Sequence, residues 1–222
     1  LLDQLKAMKL ADVDWRHGRS WSLVYFAGDE HTDFLKEVYG LFFSENWLSP
    51  TEFTSLRKLE TEVVAMMLDL LGANAAGAGT MTSGGTESIL LAMRAYRDRA
   101  KKYQPHIKRP EILVPVSAHP AFLKAAAYFD LTAVPVQVDE NYKADISVVR
   151  EKLSENTICI VSSAPSYPHG VVDPVPELGE LADSSGVGLH VDACLGGFLL
   201  PFIRQFGYEY PDFDFRVPGV TS

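Results

Sequence analysis

EILVPVSAHPAFLKAAAYFDLTAVPVQV, residues 111–138, decides the fold. An apolar run, Glu111–Val116, is followed by an alanine-rich helical stretch, Pro120–Phe129, and then by a second apolar run, Ala133–Val138. That is a strand–helix–strand unit, and its strands carry almost no polar residue. Working outward, the pattern repeats. Ile146–Leu153 reads as a helix, Thr157–Ser162 as a strand, Val175–Asp183 as a helix and Gly188–Val191 as a strand. Near-continuous apolar strands are expected where helices cover both faces of a parallel sheet, so the chain predicts a doubly wound α/β fold. Ligands in such folds bind beyond the carboxyl ends of the strands, which selects the loops worth reading.

Upstream, the spacing predicts a helix over Asp33–Phe43 and a longer one over Thr51–Leu71, with Ser49 as its cap, Pro50 in its first turn and Gly72 as its stop. Leu56, Leu59, Val63, Met66, Met67 and Leu70 recur at helical spacing, so this helix is expected to lie against a core. From Gly77 the texture changes to a glycine-rich loop feeding a helix over Ser88–Tyr103.

The composition narrows the function classes. The chain has 222 residues, 47% hydrophobic and 22% charged, enough for one large α/β domain with a real core. A net charge of -9 argues against nucleic acid as a partner, because phosphate backbones call for a basic surface. Two cysteines, Cys159 and Cys194, without a CxxC pair, argue against a disulfide framework or a structural zinc site and favour a reducing compartment. No apolar run approaches the length of a membrane span. The opening LLDQLKAMKLADVDW reads as the interior of a longer protein, and VPGVTS at the other end reads as the start of a strand, so the sequence is expected to be a fragment.

Three loops carry candidate chemistry. In TSGGTES, Ser83, Gly84, Gly85 and Thr86 precede a helix, where free N–H groups and the helix dipole favour an anion. The spacing matches neither a dinucleotide fingerprint nor a Walker loop, and a simple capped helix is the plainer reading. In HVDACLGG, Asp192 ends a buried strand, and a carboxylate there calls for a cationic partner such as a protonated pyridine nitrogen. His190, Asp192 and Cys194 share one face in an extended strand, so a metal set and a structural cap stand as alternatives; three ligands from one short strand is a poor metal geometry. His119, in SAHPAF, follows a strand and suits either stacking on a flat ring with proton transfer or capping of the next helix. SSAPSYPHGVVDP, Ser162–Pro174, reads as a proline-stiffened connection.

TSGGTES, SAHPAF, PHGVVDPVPE, HVDACLGGF and FDFRVPGVTS together closely resemble the sphingosine-1-phosphate lyases, over roughly Gly18 to the end. These are fold type I enzymes of the group II decarboxylase-like branch, dependent on pyridoxal 5'-phosphate (PLP). The resemblance implies a mostly parallel, seven-stranded-type sheet flanked by helices. It implies an N-terminal segment, 1–72, that contributes to the active site and the dimer interface, and a PLP-binding domain, 73–222, incomplete at its end. Carried over residue by residue, it implies that Gly85 and Thr86 bind the cofactor phosphate, His119 stacks on the ring, Asp192 pairs with the pyridinium nitrogen and Cys194 lies near the opposite ring face. LVYFAGDEH resembles the segment that supplies a catalytic tyrosine, here Tyr25, which with His119 would handle protons. ENWLSP resembles a substrate-phosphate segment reading N-P-L-H-P, so Asn46 matches, while Ser49 replaces the histidine and Trp47 the proline. The family's cofactor lysine is expected a few residues beyond Ser222.

The resemblance further implies a small-molecule substrate, a phosphorylated long-chain amino alcohol, cleaved at C2–C3 to a long-chain aldehyde and ethanolamine phosphate. It implies a homodimer with shared sites, Tyr25 and Asn46 serving the neighbouring subunit, and a soluble cytoplasmic protein, with an anchor upstream of Leu1 left open. Amino-acid decarboxylation on the same cofactor is the second reading, because Ser49 and Trp47 alter the substrate segment. A non-catalytic relative is the third.

Overall fold

The computed structural model describes residues 1–20 and 24–222, which form two compact units, Leu1–Arg57 and Lys58–Ser222. The first contains α1 (Leu2–Lys9), α2 (Asp29–Phe42) and the opening turn of α3 (Thr54–Leu70). Helix α2 starts earlier than the expected Asp33, because Gly28, at φ 99°, ends the preceding chain and Asp29 and Glu30 then favour the positive helix start. Helix α3 starts later than expected. The N–H groups of Glu52 and Phe53 both donate to the Ser49 carbonyl, so the Ser49–Pro50 signal forms a turn ahead of the helix and not its cap. Its stop is as read: Gly72 adopts φ 67° and the Ala73 N–H returns to the Leu68 carbonyl at 2.8 Å. The expected burial of α3 is not met, since none of its residues is buried and Met66 is 65% exposed. Helical spacing shows that an apolar stripe exists, not what covers it.

The second unit holds the sheet. In chain order it contains α4 (Gly85–Tyr103), β1 (Glu111–Pro115), α5 (Ala121–Phe129), β2 (Thr132–Val136), α6 (Ile146–Lys152), β3 (Thr157–Ser163), α7 (Val175–Ser185), β4 (Gly188–Asp192) and α8 (Leu200–Ile203). The four strands pair in parallel in the order β2–β1–β3–β4. Val220 adds a parallel bridge to Leu189, so the VPGVTS segment runs beside β4 as its sequence suggests.

Alternation along the strands builds a core on each face. Ile112, Val114 and Val161 pack with Met93 of α4 and Phe122 and Ala125 of α5. Leu113, Ile160 and Leu189 pack with Val149 of α6 and Val175, Leu178 and Ala182 of α7. All seven residues of β3 are buried, as a central strand covered on both faces must be. The chain leaves β1 toward β2 on one side and β3 toward β4 on the other, so the winding reverses between β1 and β3. Crevices at such reversals, at the carboxyl ends of the strands, are where α/β sheets bind ligands.

One buried carboxylate ties this end of the sheet together. Asp173, fully inaccessible, accepts the Ser163 N–H at 2.7 Å and the Ala144 N–H at 2.8 Å. Burial pushes its pKa up, and the two donated N–H groups offset that in part. Among the described residues no helix is long and apolar enough to cross a membrane. Asp173→Ala leaves both buried N–H groups without an acceptor, and the expected loss is about 2–4 kcal/mol, read as a lower urea midpoint at unchanged m-value.

Candidate active site

The glycine loop takes the form an anion site needs. Helix α4 opens at Gly85, and the first N–H with an intrahelical acceptor is that of Ser88, bonded to the Gly84 carbonyl at 3.1 Å. The N–H groups of Gly85, Thr86 and Glu87 therefore lie in the turn where helices leave donors over. Gly84 has φ 155° and ψ 174°, a conformation essentially restricted to glycine. Thr82 Oγ1 braces the loop at 2.7 Å from Ser88 Oγ, and Glu87 accepts the Ser83 N–H at 2.6 Å, which holds its carboxyl below the usual range.

The HVDACLGG loop comes up against this turn. A Cβ placed on Gly85 would meet Cys194 Sγ at 3.4 Å, so the two expected cofactor-binding positions are in van der Waals reach. A Cβ on Gly196 would overlap the Ala164 carbonyl, which is why this turn can close onto the end of β3 only with glycine there. Asp192 is the last residue of β4, half-buried, and its Oδ1 accepts the Cys194 N–H at 3.1 Å. Among the described residues no side-chain cation forms an ion pair with it. The Cys194 thiol is pushed up in pKa by burial and then by the Asp192 charge, so it stays protonated. For the metal alternative, no three His, Cys, Asp or Glu side chains among the described residues converge on one point.

His119 lies in the turn between β1 and α5. Its Nδ1 accepts the Ala121 N–H at 3.1 Å, so the plain capping role is present, and a neutral ring then carries its proton on Nε2. The same bond fixes the ring, which meets Tyr167 edge-on at 5.8 Å between centroids. Tyr167, in the connection read only as stiff, was missed as a site neighbour; its position two residues after a strand-following proline was the available signal. Among the described residues three buried hydroxyls, Ser117, Ser162 and Ser166, have no hydrogen-bond partner. They fall at or just beyond the carboxyl ends of β1 and β3, flanking the reversal in winding. Tyr25, Asn46 and Ser49 belong to the first unit. There the Tyr25 ring is 71% exposed, and Asn46 Oδ1 accepts the Leu48 N–H at 2.9 Å. Leu23, which opens the tyrosine segment, lies outside the described residues.

A glycine-only turn at a helix start, an uncompensated carboxylate beside it and unused buried hydroxyls fit a ligand with an anionic phosphate and a cationic ring. Comparison with known proteins agrees. Residues 13–222 match the pyridoxal-dependent decarboxylase conserved domain. The chain belongs to that family. It is 44% identical over 224 residues to a sphingosine-1-phosphate lyase of Dictyostelium discoideum and 46% identical over 224 residues to sphingosine-1-phosphate lyase 1 of Rattus norvegicus, in both cases over all of this chain. These matches cover 42% and 39% of the relatives, so the chain spans about two fifths of their length. Among solved structures, the sphingosine-1-phosphate lyase of Burkholderia pseudomallei superposes with a TM-score of 0.89 at 39% identity, covering 99% of this chain and 52% of that one. A glutamate decarboxylase of Lactobacillus brevis follows at a TM-score of 0.79 and 25% identity, over 99% of this chain and 52% of that one. The decarboxylase-like α/β fold and pyridoxal phosphate as the family's cofactor follow from this membership.

Two outcomes check the geometry. Gly84→Ala has room for its methyl group but not the backbone conformation, a strain of about 1–3 kcal/mol, so PLP affinity measured by fluorescence quenching is expected to fall about tenfold. Burial holds the His190 imidazole down to about 4 from its ordinary 6.5, against the pull of the Asp192 charge. The unfolded chain then takes up a proton near 6.5 that the folded chain takes up only near 4, so stability falls as the pH is lowered through that window. His190→Gln is expected to flatten this slope in urea midpoints measured across it.

Proposed function

We propose that this chain forms the cofactor-binding part of a PLP-dependent carbon–carbon lyase acting on phosphorylated sphingoid bases, releasing a long-chain aldehyde and ethanolamine phosphate. What carries the cofactor part of the reading is Asp192, a strand-end carboxylate without a side-chain cation among the described residues, next to the Cys194 that meets the glycine turn of α4. What favours this substrate over an amino acid is the level of identity, 42–46% to sphingosine-1-phosphate lyases across almost all of the chain. The decarboxylase reading retains a 41% identical relative, a probable L-aspartate decarboxylase of Pyrococcus furiosus, over 84% of the chain.

When bound, PLP supplies an electron-withdrawing ring conjugated to the substrate amine. The residues of this chain hold and bias that ring. Gly85 and Thr86 offer N–H groups to its phosphate at the positive end of α4. Asp192 keeps a proton on the pyridine nitrogen. His119, its ring fixed by the Ala121 N–H, would stack on that ring, with Cys194 on the opposite side. Tyr25 and His119 are the groups we assign to proton transfer at the substrate hydroxyl and at the carbon that loses its neighbour. Asn46 and Ser49 contact the substrate phosphate, Ser49 as a neutral donor where the family has histidine.

The exposed apolar stripes of the first unit support a homodimer in which residues 1–72 complete the site of a second copy while residues 73–222 bind PLP. Both cysteines are free thiols, which suits a reducing, cytoplasmic setting. The intact protein, incubated with a phosphorylated sphingoid base, is expected to release aldehyde, and Asp192→Asn to lower the rate by at least about a hundredfold. Carbon dioxide from an amino-acid panel without aldehyde would give the decarboxylase reading instead.

A further inference from the structure

His190 is not used by the mechanism above, yet it stands two residues before Asp192 on the same face of β4. Its Nδ1 lies 2.8 Å from Ser222 Oγ. Ser222 Oγ lies in turn 2.7 Å from the Tyr96 hydroxyl, which is also 2.7 Å from Thr221 Oγ1. Thr221 Oγ1 accepts the Leu189 N–H at 3.1 Å, and the Ser222 carbonyl accepts the Val191 N–H at 2.8 Å. The other side of the imidazole packs edge-on against Phe122 at 5.6 Å between centroids. The ring is thus tied to α4, α5 and the segment beside β4, through residues up to 126 positions apart.

The charges around it are simple. Tyr96 and Cys159, the titratable groups on the neighbouring α4 and β3, are both pushed up in pKa by burial and are neutral at physiological pH. Ser222 and Thr221 are hydroxyls and Phe122 is apolar. Asp192 is therefore the charged group that His190 faces among the described residues. A protonated imidazole in this position would neutralise that carboxylate and repel a cationic ring beyond it.

We infer that His190 is a positioning residue, held by Ser222, Tyr96 and Phe122 as an uncharged neighbour of Asp192, so that the carboxylate's charge is left for the pyridinium of the bound cofactor. This rests on the cofactor reading of Asp192. The aspartate alone does not make the site; burial keeps the residue behind it neutral, and the hydroxyl chain and Phe122 hold that residue in place.

The test has two arms. Imidazole nitrogen NMR of the wild-type protein, with His190 assigned by its loss in His190→Gln, is expected to show a neutral ring from about pH 8 down to about pH 5. Titration near the ordinary value or above it overturns the inference. In the second arm PLP affinity is read by fluorescence quenching. His190→Gln, polar and uncharged, is expected to bind within about threefold of wild type, and His190→Lys at least about tenfold more weakly. Equal affinity for the lysine variant, shown to be folded by circular dichroism, overturns the inference. If that variant does not fold, the NMR arm decides. A wild-type protein that binds no PLP removes the cofactor reading and this role with it, whereas one that binds PLP with a titrating His190 removes only the role.

Discussion

A carboxylate at the end of a buried strand, bonded to one backbone N–H and, among the described residues, to no side-chain cation, is the constraint on which the rest of the structure turns. A half-buried charge of that kind is unfavourable unless a ligand completes it. Asp192 is held at the sheet end by β4, and β4 is fixed by the fully buried β3 beside it. The close approach of the 194–197 turn to Ala164, possible only with glycine at 196, sets where Cys194 stands relative to Gly85. Removing any of these would shift Cys194, and the Asp192 carboxylate bonded to its N–H, relative to the start of α4.

The electrostatics of the site follow from burial more than from paired charges. His190 stays neutral because desolvation outweighs the Asp192 charge, Cys194 because desolvation and that charge both raise its pKa, and Asp173 is raised by burial while two backbone N–H groups hold it in place. In an acidic chain of net charge -9, the donors left over at the start of α4 are backbone dipoles and not basic side chains.

The unused hydroxyls of Ser117, Ser162 and Ser166 bear on the same point. Buried polar groups are rarely left without partners, and here they gather at the strand ends that flank the reversal in winding. The capping bond to His119 leaves the proposed stacking role open to the same residue: the Ala121 N–H that the ring accepts is what fixes the ring's plane.

Much of this was legible from local pattern. The strand–helix alternation from Glu111 to Asp192, the stop at Gly72 and the exposed N–H groups before α4 depend on neighbours a few residues away, so periodicity and glycine placement suffice to find them. The glycine turn before α4 and the strand-end aspartate were legible for the same reason. What only the tertiary structure decided is which surfaces meet. The approach of Cys194 to Gly85, the edge of Tyr167 on His119 and the chain from Tyr96 through Ser222 to His190 join residues 32 to 126 positions apart. The exposure of the α3 stripe belongs here too, since an apolar face records that burial is favourable but not against what. Local sequence specifies each element through backbone preference and spacing, whereas contacts across the fold are set by how whole layers pack, and no window of the chain contains that information.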